Sequence, residues 1–250
     1  MSGDVLAGWE RSEFTAANIT RDTYRKGSGP AVIVVHEVPG ITPLVAAFAE
    51  EVVDRGFTVV MPDLVGTPGK APSIPYGLAS ITKVCIAREF TTMALHRTSP
   101  IISWLRALAR NVHLDVGGAG VGAVGMCFSG GFALGMMVDD IMLAPVLSQP
   151  SSPLPIGKRR AGDLNLSPDD EAAVIERANN GCQVLGLRFT GDKLVGDRFA
   201  TLREKLGDAF IAVELPSSKP SDHSVLTEQR DDASVARVLD FFDEKLKPRT

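Results

Sequence analysis

A thiol, an imidazole and two carboxylates, Cys127, His223, Asp192 and Glu37, each stand just beyond an apolar run in this sequence. A thiolate is a strong nucleophile, an imidazole can take its proton and pass it to a leaving group, and a carboxylate can fix the imidazole tautomer. Cys127 carries the strongest local signal. The Gly-punctuated run Val121-Gly-Ala-Val-Gly125 ends two residues before it, and Phe132, Leu134, Met136 and Met137 then follow a helical pattern. A strand, a sharp turn and a helix lift the side chain at the apex off the sheet toward a ligand. The helix start also favours a thiolate over a thiol. The N–H of Phe128 at that start, and the N–H of Val38 in the loop after an earlier strand, are the expected donors to an oxyanion.

The same residues admit plainer roles. Cysteine is often a small core residue, and Cys85 and Cys182 read as structural. Ser129 competes as nucleophile, because Cys127-Phe-Ser129-Gly-Gly131 is an altered G-x-S-x-G. It stands two residues further from the strand end, which favours Cys127. Asp197 rivals Asp192, but it precedes a helix that it could cap, whereas Asp192 directly follows a strand. His36 lies inside a strand end, and His96 and His113 fall in or near helices, so the loop residue His223 is the better base. A carboxylate beside a turn, as Glu37 is, is ordinarily exposed.

For these four to meet, several strand ends must lie side by side. Residues 12–26 alternate loosely and read as an edge hairpin. The β-branched run 31–35 reads as a strand covered on both faces, and a helix opened by Pro43 and stopped at Arg55-Gly56 leads to a strand at 57–61. Residues 64–80 are rich in Gly and Pro and read as a loop. A long helical region follows, broken near 97–100, with its second half at 101–111. Strands are expected at 121–125, 141–144, 184–189 and 210–214, and helices from Ser167-Pro168, at 198–206 and at 232–246. The Pro-rich stretch 145–157 reads as a loop over the site. This alternation predicts one α/β domain over residues 1–250, a mostly parallel doubly wound sheet flanked by helices, with its ligand at the C-terminal strand ends.

Composition narrows the partners. The chain is 44% hydrophobic with a net charge of −4 and interspersed signs, which argues against nucleic acid and anionic membranes. Three cysteines without C-x-x-C spacing argue against a disulfide framework and a cysteine-rich zinc site. They fit a reducing cytoplasm, and neither a signal peptide nor a membrane-spanning run is expected.

The order Cys127, Asp192, His223 is the nucleophile–acid–histidine order of α/β-hydrolases. With His36-Glu37 after a strand, G-x-C at the elbow, Asp192-Lys-Leu-Val195 and a late His223, the chain resembles the dienelactone hydrolase family from about residue 15 to 245. The resemblance implies a cysteine hydrolase of the carboxymethylenebutenolidase type. Such an enzyme acts on a small carboxylic ester or lactone without metal or cofactor, as a monomer or small homo-oligomer. It also implies that Glu37 accepts the resting thiol's hydrogen bond and helps form the thiolate when substrate arrives. Two departures stand out: Ser129 lies within the family's G-x-C-x-G-G, and Thr227 replaces an arginine that binds the carboxylate of dienelactone. Arg88 is the remaining guanidinium for such a group, and dienelactone itself is not the expected substrate. A catalytically quiet binding or redox-responsive protein on the same scaffold is the alternative.

Overall fold

The computed structural model describes residues 5–90, 96–152 and 158–248. Its first elements are a hairpin, β1 (Glu10–Ala16) and β2 (Ile19–Lys26). The linking pair Ala17-Asn18 has φ of 50° and 59°. A two-residue turn with both centres left-handed matches the twist of its strands, and Asn tolerates that region well. Then follow β3 (Ala31–Val35), α1 (Pro43–Asp54), β4 (Thr58–Pro62), α2 (Ile74–Ile86), α3 (Pro100–Val116) and β5 (Val121–Met126). A 3-10 turn at Cys127–Ser129 leads to α4 (Phe132–Met136), β6 (Met142–Ser148), α5 (Lys158–Ala161) and α6 (Pro168–Asn179). The chain closes with β7 (Val184–Phe189), α7 (Arg198–Leu206), β8 (Phe210–Leu215) and α8 (Asp232–Leu246).

The strands form one sheet in the order β1-β2-β4-β3-β5-β6-β7-β8. The hairpin joins β4 antiparallel, and every pairing from β4 to β8 is parallel. The expected doubly wound sheet is therefore present, with the hairpin at its edge. Alternation along β3 sorts the core: Val32 and Val34 belong to the cluster that includes α1 and α8, while Ile33 and Val35 belong to the one that includes α3, α4, α6 and α7. A strand buried on both sides needs this unbroken apolar run.

Two elements differ from expectation. The strand expected at 141–144 runs on to Ser148, through Pro145. A register shift in the β5–β6 ladder just before it, where Gly122 pairs with Ala144, is the kind of irregularity at which a sheet tolerates a residue without an N–H. The loop expected from 145 therefore starts four residues later, and its part at 153–157 lies outside the described residues. Second, α2 begins at Ile74, inside the stretch read as a loop. Ser73 is extended at its start and Pro75 sits in the first turn, where its missing N–H costs nothing. Ile74 and Leu78 on this helix are 90% and 66% exposed, whereas Val84 near its other end is buried in the core.

One buried histidine fastens the top of the sheet. His36 Nε2 accepts the Leu64 N–H at 3.0 Å, which leaves Nδ1–H to donate to the Glu37 carbonyl at 2.7 Å. Burial drives its pKa down from 6.5 to about 4, against a small opposing effect of the Glu37 carbonyl. The unfolded chain binds this proton more readily, so the contribution is present above pH 6.5 and is lost as pH falls through 4. Urea unfolding of the wild type should show about 3 kcal/mol of acid destabilisation from this ring across that window. His36→Gln should be less stable at pH 7 and lack that part of the slope. Parallel pH profiles for the two proteins would refute this.

Candidate active site

The site forms where the sheet reverses its winding. From β3 the chain crosses to β4 on one side, and from there it passes over to β5 on the other. Loops leaving β3 and β5 therefore diverge, and a crevice opens between their C-terminal ends. Glu37 follows β3 and Cys127 follows β5. Asp192 follows β7 and His223 follows β8, so loops from four parallel strands bring the expected residues to one end of the sheet.

Cys127 occupies the apex of the elbow at φ 57°, a left-handed conformation that side chains rarely adopt. The turn is too tight for side chains around it. A Cβ on Gly125 would lie 2.0 Å from the Ser129 carbonyl oxygen, and one on Gly130 would lie 2.5 Å from Pro150 Cα. Ser129 closes the turn. Its fully buried hydroxyl accepts the Met126 N–H at 2.9 Å and is within 3.0 Å of the carbonyls of Val35 and His36. The residue that competed as nucleophile thus faces backbone, and the apex belongs to Cys127.

His223 Nδ1 bonds Asp192 Oδ2 at 2.6 Å, while Asp192 Oδ1 accepts the Leu194 N–H at 2.9 Å. Asp197 instead precedes α7 and meets the backbone of Ala161. Burial disfavours a charged His223. The charge of Cys127, the hydrogen bond to Asp192 and a hydrogen-bonding interaction with Cys127 outweigh it and push the ring up to about 11. Nε2 is buried without a partner at full hydrogen-bond geometry among the described residues. Nε2 is therefore the ring nitrogen left free to serve a thiol, and catalytic hydrogen bonds are often completed only when substrate binds. Cys127 Sγ lies 3.3 Å from Ser151 Oγ.

Glu37 is not the exposed carboxylate its position beside a turn suggested: it is only 4% exposed. Its Oε2 accepts from Gln149 Nε2 at 3.1 Å and Ser224 Oγ at 2.7 Å, and its Oε1 accepts from the Thr227 hydroxyl. Among the described residues the thiol's hydrogen bond runs to Ser151, and Glu37 makes none to it. Burial pushes the Glu37 carboxyl up and Glu228 adds to this, against Thr227, Ser224 and the charge of His223. Arg88 is exposed in the turn after α2. Val38 lines a cleft of about 350 Å³ beside Glu37 and Ser224, and the Phe128 ring packs edge-on against Phe90 and Phe132.

Sequence reasoning missed Gln149 and Ser151, which follow β6 directly. Placing them required the true end of that strand. Ser224 was passed over, and Thr227 was noticed only as the place of an absent arginine.

A model of the dienelactone hydrolase family matches residues 17–245. No curated protein matches the chain. Among solved structures, a cold-adapted esterase from an Arctic intertidal metagenomic library superposes with a TM-score of 0.64 at 17% identity, covering 96% of this chain and 94% of that one. A dienelactone hydrolase from Anabaena variabilis gives a TM-score of 0.64 at 15% identity, covering 96% and 98%. For 2,6-dihydroxy-pseudo-oxynicotine hydrolase the TM-score is 0.59 at 16% identity, covering 94% and 67%. At these identities the structural matches establish the α/β-hydrolase fold alone.

Ser129→Ala tests the closure of the elbow. It leaves the Met126 N–H and the facing carbonyls without their partner, and should cost about 1–3 kcal/mol in urea unfolding. A loss below about 0.5 kcal/mol, the range of neutral surface substitutions, would contradict this role.

Proposed function

The chain belongs to the dienelactone hydrolase family, and from that premise we propose that it hydrolyses a small carboxylic ester or lactone through an acyl-Cys127 intermediate. The observation that carries this reading is Cys127 on a strained elbow at the same end of the sheet as a half-buried His223 held by Asp192, with the charge of Cys127 raising that ring.

In the proposed mechanism His223 takes the Cys127 proton, and Asp192 fixes the ring with Nδ1–H toward the carboxylate and Nε2 toward the sulfur. The sulfur attacks the acyl carbon, a C–S bond forms, and the carbonyl π pair moves onto oxygen. The N–H groups of Phe128 and Val38 stabilise that oxyanion. Its collapse breaks the C–O bond, and the leaving alkoxide takes the proton from His223 Nε2. A water that gives a proton to His223 then attacks the thioester, and the acid departs with the sulfur restored. The carboxylate of Glu37 holds the loops that carry His223 and Gln149, and Ser151 orients the resting sulfur. Arg88, exposed and away from the cleft lining, has no role in this scheme. No step calls for a metal or organic cofactor.

Release of p-nitrophenol from a short-chain ester, with intact-mass detection of the acyl adduct, tests the reading. Cys127→Ala should abolish turnover and adduct together, and Asp192→Asn should lower kcat by about 10²–10⁴-fold, as tautomer-fixing carboxylates do elsewhere. Equal rates for wild type and Cys127→Ala would refute it. Ligand binding or reversible oxidation of Cys127 without turnover would instead support a binding or redox-responsive protein.

A further inference from the structure

The cleft beside the candidate site carries a restriction on charge. Val38, Pro39, Pro72 and Ile74 give it apolar walls, and its charged lining residues are Glu37 and Glu228. No lysine or arginine lines it among the described residues. Glu37 accepts only from the neutral groups of Gln149, Ser224 and Thr227, so no bonded cation cancels its charge. The ring of His223 is already bonded to Asp192.

The buried guanidinium of Arg198 does not serve this cleft. It donates to the carbonyls of Val195 at 2.9 Å and Arg160 at 3.0 Å, and it lines a separate void of about 20 Å³. That void has room for about one water molecule and none for a carboxylate-bearing chain.

On this footing, which rests on the ester-hydrolase reading above, we infer that the cleft takes an uncharged, apolar substituent of the substrate and rejects one that ends in a carboxylate. An anionic terminus would give up its water beside two acids with no lysine or arginine among the described lining residues to receive it, whereas an alkyl chain loses nothing against Val38, Pro39, Pro72 and Ile74.

Two substrates of equal length separate these cases: p-nitrophenyl pentanoate, and the mono-p-nitrophenyl ester of glutaric acid. The second carries a carboxylate where the first carries a methyl group. With the whole chain at pH 7.5, the enzyme-free rate is subtracted; for the glutarate ester this includes attack by its own carboxylate to form the cyclic anhydride. With the remainder normalised to each ester's hydroxide-catalysed rate constant, kcat/KM should be at least about tenfold lower for the glutarate ester. A ratio of that size is a difference of about 1.4 kcal/mol in transition-state binding. Glu228→Gln, on an exposed residue, should narrow the gap at least about threefold, and so should raised salt, which screens exposed charges. Equal or faster turnover of the glutarate ester would overturn the inference while leaving the ester-hydrolase reading in place. Failure to hydrolyse either ester would overturn that reading, and this inference with it.

Discussion

A side chain held at φ 57° between a strand and a helical turn must be forced there by its neighbours, and the functional geometry depends on that constraint. The left-handed region costs a residue with a Cβ roughly 1–2 kcal/mol. Gly125 and Gly130 let the backbone fold back within distances that no Cβ could share. The Ser129 hydroxyl then joins Met126 of β5 to Val35 and His36 at the end of β3. One oxygen thus fixes the elbow and binds it to the neighbouring strand, which also leads to Glu37. The relation between Cys127 and the β3 loop is a property of the sheet, not of a mobile loop.

Glu37 supplies the second tie. Its two carboxylate oxygens gather donors from the segment after β6 and from the His223 loop. A buried charge is tolerable when each lone-pair direction is met, and removing any donor would leave that charge exposed to a low-dielectric surrounding. With Gln149, Ser224 and Thr227 on its oxygens, the carboxylate is committed to those loops, and the sulfur turns to Ser151 instead. The thiol-gating role expected of Glu37 would require these bonds to break. Thr227 fits the arrangement because its short hydroxyl reaches Oε1 and brings no charge of its own.

The sheet and most of the candidate site were legible because they rest on local signals. Continuous apolar runs revealed the parallel strands, and polar residues immediately beyond them revealed Glu37, Cys127, Asp192 and His223. Ser167-Pro168 announced α6 through the cap and fixed φ that a helix start requires, and the side chain does accept the Asp170 N–H. What escaped is non-local. Whether Pro145 ends a strand or rides over a ladder irregularity depends on how β5 pairs, so the end of β6, and with it Gln149 and Ser151, could not be read from their own neighbours. Ser129 looked like a rival nucleophile because its type is catalytic. Only the packing of β3 against the elbow turns it inward.

The charges in the site limit how an oxyanion can be stabilised there. The site gathers two carboxylates, Asp192 and Glu37, and one imidazole raised toward its cationic form. Among the described residues no lysine or arginine lines the adjoining cleft. In the proposed mechanism, negative charge developing on a carbonyl oxygen is met by oriented N–H dipoles, which need no reorganisation when the charge appears. The first N–H groups of a helical turn have no acceptor of their own and are such dipoles. In the proposed mechanism the elbow that presents Cys127 also carries the Phe128 N–H. The proposed nucleophile and oxyanion donor therefore share one piece of backbone, and a change that relaxed the turn would withdraw both at once.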